Sequence, residues 1–169
     1  MRMPGNWGAT EAEIAERYPC DGVLPGPTES WFRAVPTKAD PATQYRWLCQ
    51  LTVAPYSYDL VDNYGRRSPR TLTPGLEDLT VGQRMTRIFT LADFTPGRDL
   101  TLRIADPSAR RMFGDLAITY RANPGRLVAK LAVDAGSFAI RRRFLCWGDL
   151  VMMRRQLLTL AGLASHATV

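Results

Sequence analysis

On either side of Pro124-Gly125 apolar side chains return at every second position, as Leu116, Ile118, Tyr120 and Ala122 before it and Leu127, Ala129, Leu131 and Val133 after it. A period of two marks strand. A Pro-Gly centre suits a tight turn, because proline presets φ and glycine accepts φ > 0. Folding the chain about that turn sets Tyr120 opposite Ala129, Ile118 opposite Leu131 and Leu116 opposite Val133. The other face carries Thr119 with Lys130 and Asp115 with Asp134, which suits water. The same count about Pro96-Gly97 sets Leu91 against Leu102 and Phe89 against Ile104. The pattern predicts strands near 84–94, 98–105, 110–122 and 126–134, an antiparallel meander covered on one side.

Towards the C-terminus the period changes. Cys146, Leu150, Met153, Leu157, Leu160, Ala161 and Ala164 form one stripe, with Arg154, Arg155, Gln156 and Thr159 off it. This predicts a long amphipathic helix over about 145–165, and its stripe needs an apolar surface such as the meander provides. Upstream, Thr10 followed by Glu13 fits a capping box for a helix from about 11 to 17. "PCDGVLPGPTE" breaks the chain, and the β-formers of "ESWFRAV", 29–35, read as a first strand. Asp40 as N-cap and Pro41 at the first helical position start a second helix, with Tyr45, Leu48 and Cys49 on its buried face. The expected fold class is α+β: a curved antiparallel sheet gripping a long C-terminal helix, in one domain over 1–169 with an N-terminal extension of about 1–27.

Composition narrows the function. A chain of 169 residues with 46% hydrophobic and 22% charged residues is ordinary globular protein. No run approaches the ~18 apolar residues of a membrane span, and the N-terminus lacks a signal-peptide core, so a cytoplasmic location without membrane insertion is expected. Cys20, Cys49 and Cys146 lack Cys-x-x-Cys spacing and read as small buried thiols. The net charge of +6 rests on arginine, Lys38 and Lys130 being the only lysines. The arginine clusters are scattered and no RNA-binding or helix-turn-helix pattern accompanies them, so no specific nucleic-acid partner is expected. His166 is the sole histidine and lies near the end of the sequence, a poor foundation for a Ser-His-Asp or Cys-His triad or a His-based zinc site. No Walker A or GxGxxG loop is present; no metal and no cofactor are expected.

The stretch "APYSYDLVDNYGRRSP", 54–69, gathers three tyrosines, two aspartates and two arginines. Asp59 and Asp62, at i and i+3, share one side of any short helix there. Together they can do acid–base work or bind a metal; alternatively one caps the helix and the other sits in water near Arg66 or Arg67, the favoured reading because capping acids are common. Arg87 shares a face with Phe89 and Leu91, opposite Asp106. It reads as a structural ion pair or as a polar anchor for an acidic or carbonyl-bearing ligand. Tyr120 is either core filling or a hydroxyl facing a cavity.

The order of strand, short helices, meander and long helix resembles the SRPBCC superfamily, the START-like or Bet v 1-like helix-grip proteins with their polyketide cyclase-like branch. "ATQYRWLCQL" is similar to the family's aromatic-leucine-glutamine helix, "YSYDLVDN" to the tyrosine-rich turn of one bacterial branch, "LEDLTVGQ" to the lead into the meander, and "DLVMMRRQLLTLAGLA" to the closing helix. The resemblance covers roughly 28–165 and implies an internal cavity between sheet and long helix. It implies that this cavity takes a hydrophobic or amphipathic small molecule, with a polyketide cyclase/dehydratase-like enzyme as the alternative. The expected ligand-binding residues are Trp47, Tyr56, Tyr58, Asp59, Arg87, Phe89, Tyr120 and Met153, with Tyr56 or Tyr58 turned inward at the mouth. No catalytic residue is assigned, because the superfamily has no universal catalytic motif.

Overall fold

In the computed structural model, which describes residues 5–59, 64–136 and 139–167 (the backbone alone at 139–141), seven strands make one sheet. They are β1 (Asn6–Trp7), β2 (Thr28–Pro36), β3 (Arg84–Met85), β4 (Phe89–Thr95), β5 (Asp99–Ile104), β6 (Leu116–Asn123) and β7 (Arg126–Asp134). Their order is β1-β2-β7-β6-β5-β4-β3, and every neighbouring pair is antiparallel except β1 with β2. The α-helices include α1 (Glu11–Ala15), α2 (Pro41–Cys49), α3 (Pro107–Phe113) and the 28-residue α4 (Ala139–His166), with 3-10 turns at Pro19–Gly22 and Gln50–Thr52.

The register follows the alternation. Tyr120 faces Ala129, Ile118 faces Leu131 and Leu116 faces Val133, while Leu91 faces Leu102 and Phe89 faces Ile104. A bulge between Leu91 and Asp93 restores parity, so that Phe94 faces Leu100. On β2 the residues of the same face are Trp31, Arg33 and Val35, opposite Leu131, Ala129 and Leu127. Against this inner face α4 buries Cys146, Met153, Leu157, Leu160, Ala161 and Ala164. Each large apolar side chain so enclosed contributes about 1.5–3 kcal/mol. Two positions differ from the predicted stripe: Leu150 is only partly buried, and Gln156 is buried rather than facing water.

Three further corrections follow. The strand expected over 110–122 begins at Leu116, because Asp106 caps α3 by accepting from the Ala109 N–H at 2.8 Å and Pro107 opens the helix. The strand expected over 84–94 is split at Thr86, whose φ of 54° turns the chain and whose N–H donates to Leu51 O at 2.9 Å. The outer face of the sheet is not left to water. Tyr18, Cys20 and Leu24 from the N-terminal segment pack there on Phe32, Ala34, Ala117, Val128 and Ala132. Its polar residues satisfy one another: Arg121 donates to Asp99 at 3.0 and 3.2 Å and to Glu16 at 3.0 Å, under the Tyr18 ring. Lys130 pairs with Asp21 at 2.6 Å, and the Cys20 N–H donates to Thr119 Oγ1 at 3.0 Å. Such groups are polar in sequence yet buried in fact, since a buried polar group is stable once partnered.

Candidate functional site

A cavity of about 710 Å³ lies between the inner face of the sheet and α4. Its floor is the sheet, through Trp31, Leu102, Leu116, Ile118, Tyr120 and Leu131. One wall is α4, where Phe144, Leu145, Gly148, Asp149, Met152, Met153 and Gln156 recur at steps of one, three and four along a single side. The remaining wall comes from Met112 and Phe113 of α3, from Phe89 at the start of β4 and from two segments outside the long strands and helices, Thr52 to Pro55 with Ser57, and Thr86 to Ile88. Sequence accounts for both segments. Pro55 bars regular pairing where the chain leaves α2, and the left-handed backbone at Thr86 turns Arg87 and Ile88 out of the ladder. Met112 and Phe144, 63% and 77% exposed, stand with Arg87 at the mouth, while Tyr120 closes the inner end at 2%.

The polar groups of the inner end are few and tied together. Tyr120 Oη donates to Gln156 Oε1 at 2.7 Å, and Gln156 Nε2 donates to Pro55 O at 2.7 Å, so one glutamine joins sheet, long helix and mouth segment. Burial, with the nearby Asp149 charge, pushes the Tyr120 phenol far above its ordinary range and keeps it protonated. Asp149 Oδ2 stands 3.0 Å from Arg33 Nη2. Arg33, wholly buried beneath α4, also donates to Phe32 O at 2.8 Å, Gly5 O at 3.2 Å and Cys146 O at 3.4 Å. Desolvation outweighs the attraction of Arg33 and pushes the Asp149 carboxyl up to about 6.

Of the residues expected at the site, Arg87, Phe89, Tyr120 and Met153 line the cavity. Arg87 does not pair with Asp106, which is occupied as the α3 cap; its guanidinium lies 4.0 Å over the Tyr64 ring. Trp47, Tyr56, Tyr58 and Asp59 do not line the cavity. Trp47 and Tyr56 meet edge to face at 6.1 Å behind it, both buried, with Tyr56 held at a φ of 54°. Tyr58 is 42% exposed. Asp59 accepts from the Ser68 N–H at 2.9 Å and the Ser68 hydroxyl at 2.5 Å, which closes the 54–69 loop on itself. The segment thus supplies wall through its small residues, Ala54, Pro55 and Ser57, rather than its tyrosines. The pairing of Asp59 with Asp62 falls on residues 60–63, outside those described.

Arg33, Asp149 and Gln156 were missed, and a signal for them exists. Arg33 stands between Trp31 and Val35 on the inner parity of β2, and Asp149 stands between Cys146 and Met153 on the α4 stripe. Opposite charges on two apolar faces that must meet are expected to pair, since neither is stable there alone.

A curved antiparallel sheet gripping a long helix, with a cavity between them, defines a helix-grip protein. No family model matches the chain, and no curated protein matches it in sequence. Solved structures do. Protein MLL2253 from Mesorhizobium loti superposes with a TM-score of 0.51 at 14% identity, covering 83% of this chain and 100% of its own. The Zhui aromatase/cyclase of a Streptomyces species gives 0.51 at 14% identity over 84% and 96% of the two chains. Major latex-like protein 151 from Panax ginseng gives 0.50 at 8% identity over 85% and 99%. The chain has the SRPBCC, or Bet v 1-like, fold.

Proposed function

We propose that this protein binds a hydrophobic or amphipathic small molecule in the cavity between sheet and α4. The observation that supports this most is the cavity itself: about 710 Å³, walled mainly by apolar and aromatic side chains, with its polar groups confined to a few places. Volumes of this size enclose most of a drug-sized ligand, and a mainly apolar lining supplies affinity while sparse polar groups fix orientation. Met112, Phe144 and Arg87 at the mouth give an incoming apolar molecule a surface to meet before it is enclosed. Titration with N-phenyl-1-naphthylamine tests the reading. Saturable enhancement at one probe per chain is expected, and a linear, non-saturating response would count against it.

The carboxyl of Asp149 favours a second reading, an enzyme of the cyclase/dehydratase type acting on a carbonyl-rich substrate. A group pushed up to about 6 can take and return a proton near neutral pH, and it lines the same cavity as the Tyr120 phenol. On this reading Asp149 removes a proton beside a carbonyl and the enclosed cavity sets the geometry. Deuterium uptake at the α-carbon of 2-acetonaphthone measures it. Acceleration by the wild type that is lost in Asp149→Asn, with the variant still folded by thermal melting, is the expected result; equal uptake in both proteins contradicts it.

A further inference from the structure

The hydrogen-bonding state of the inner end determines what kind of head group it accepts. Pro55 O can only accept, so the glutamine atom 2.7 Å from it is Nε2, and Oε1 therefore faces Tyr120. That orientation commits the Tyr120 hydroxyl hydrogen to Gln156 and leaves the Tyr120 oxygen with acceptor capacity alone. Asp149 faces Arg33 through Oδ2, 3.0 Å from Nη2, and this buried oxygen has no hydrogen-bond partner among the described residues. Arg33, the cation behind it, is fully buried, directed at three backbone carbonyls and Asp149, and is not part of the lining. The side-chain oxygens presented here are acceptors; the donors that hold them stand behind. Among the described residues that line the cavity, Arg87 is the one cation, and it is at the mouth.

We propose that the cavity selects ligands whose buried end is a neutral hydrogen-bond donor, a phenol, alcohol or amine, held by Asp149 and the Tyr120 oxygen, and that it disfavours a carboxylate there. The proposal rests on the reading of the cavity as a ligand site. A donor completes the Asp149 carboxylate in a setting where an unmet polar group is costly. A ligand carboxylate held there meets the like charge of Asp149 in a mainly apolar cavity. The ligand's far end emerges beside Arg87, so an acceptor is tolerated there.

Displacement of N-phenyl-1-naphthylamine by naphthalene, 2-naphthol and 2-naphthoate at pH 7.5 tests the choice with one ring system and three head groups. The expected order is 2-naphthol tightest, by about tenfold or more over 2-naphthoate and several-fold over naphthalene, since a site built to hydrogen-bond a group rejects analogues that lack it. In Asp149→Asn, whose amide adds a donor and removes the charge, 2-naphthoate gains and the gap closes to about threefold or less. Binding of 2-naphthoate as tight as that of 2-naphthol overturns the head-group inference while leaving the ligand site standing. A gap unchanged in Asp149→Asn also overturns it. Failure of all three to displace the probe, or of the probe to bind, removes the ligand site and the inference together.

Discussion

Asp149 is where residue-scale chemistry is most exposed to test. Its carboxyl in the folded protein titrates at about 6 against an ordinary 3.8, so between those values the native state holds a proton that the unfolded chain has released. The contribution to stability is full below the ordinary value and is lost as pH rises through about 6. Urea unfolding from pH 4 to pH 7 should show stability falling across that window relative to Asp149→Asn, in which the group cannot titrate. Parallel pH profiles for the two proteins would contradict the assignment. The residue scale is also where the sequence was least legible. Arg33 and Asp149 sit 116 positions apart on separately apolar surfaces, and neither alternation nor helical period says which two charges meet. Tyr56 shows the converse: a tyrosine-rich stretch suggested a wall, but a left-handed backbone at that position turns the ring onto Trp47 instead.

At the scale of elements, periodicity carried further. The register about both Pro-Gly turns and, Leu150 and Gln156 apart, the buried stripe of α4 emerge as the pattern requires, because one face of each is covered and a one-residue slip would expose it. Leu157, at 0% exposure in the middle of α4, tests that packing: Leu157→Ala should cost about 2–5 kcal/mol in a denaturant melt. A loss under about 1 kcal/mol would mean that the helix does not bury this position as described. The miss at α3 has a specific cause. Asp106-Pro107 is the same N-cap signal as Asp40-Pro41, which correctly begins α2, but the apolar residues around 110–122 drew the strand assignment too far back. Helix and strand compete over short segments, and here a cap decided the boundary.

For the whole molecule, the N-terminal segment converts a sheet with one apolar face into a sheet covered on both. Arg121 is the centre of that cover, 3% exposed and bound to Asp99 and Glu16. Arg121→Ala leaves Asp99 buried without its strongest partner and should cost about 3–5 kcal/mol by chemical unfolding, against near-neutrality if the cover were loosely held. This layer was illegible in advance because threonine, arginine and lysine on an outer face look the same whether they meet water or a strap of chain. The cavity on the other side carries the functional account, and Gly148 gives direct access to it. It lines the cavity within α4, and a Cβ added there meets nothing within 4 Å. Gly148→Trp therefore sets an indole at the cavity wall without a clash at its base, while replacing a glycine inside a helix, which favours the fold. The decisive measurement is the titration of this variant with N-phenyl-1-naphthylamine beside the wild type, each checked by thermal melting. The account predicts affinity lowered by about tenfold or more at an equal or higher Tm. Unchanged probe affinity in a folded Gly148→Trp protein would place the binding elsewhere and contradict it.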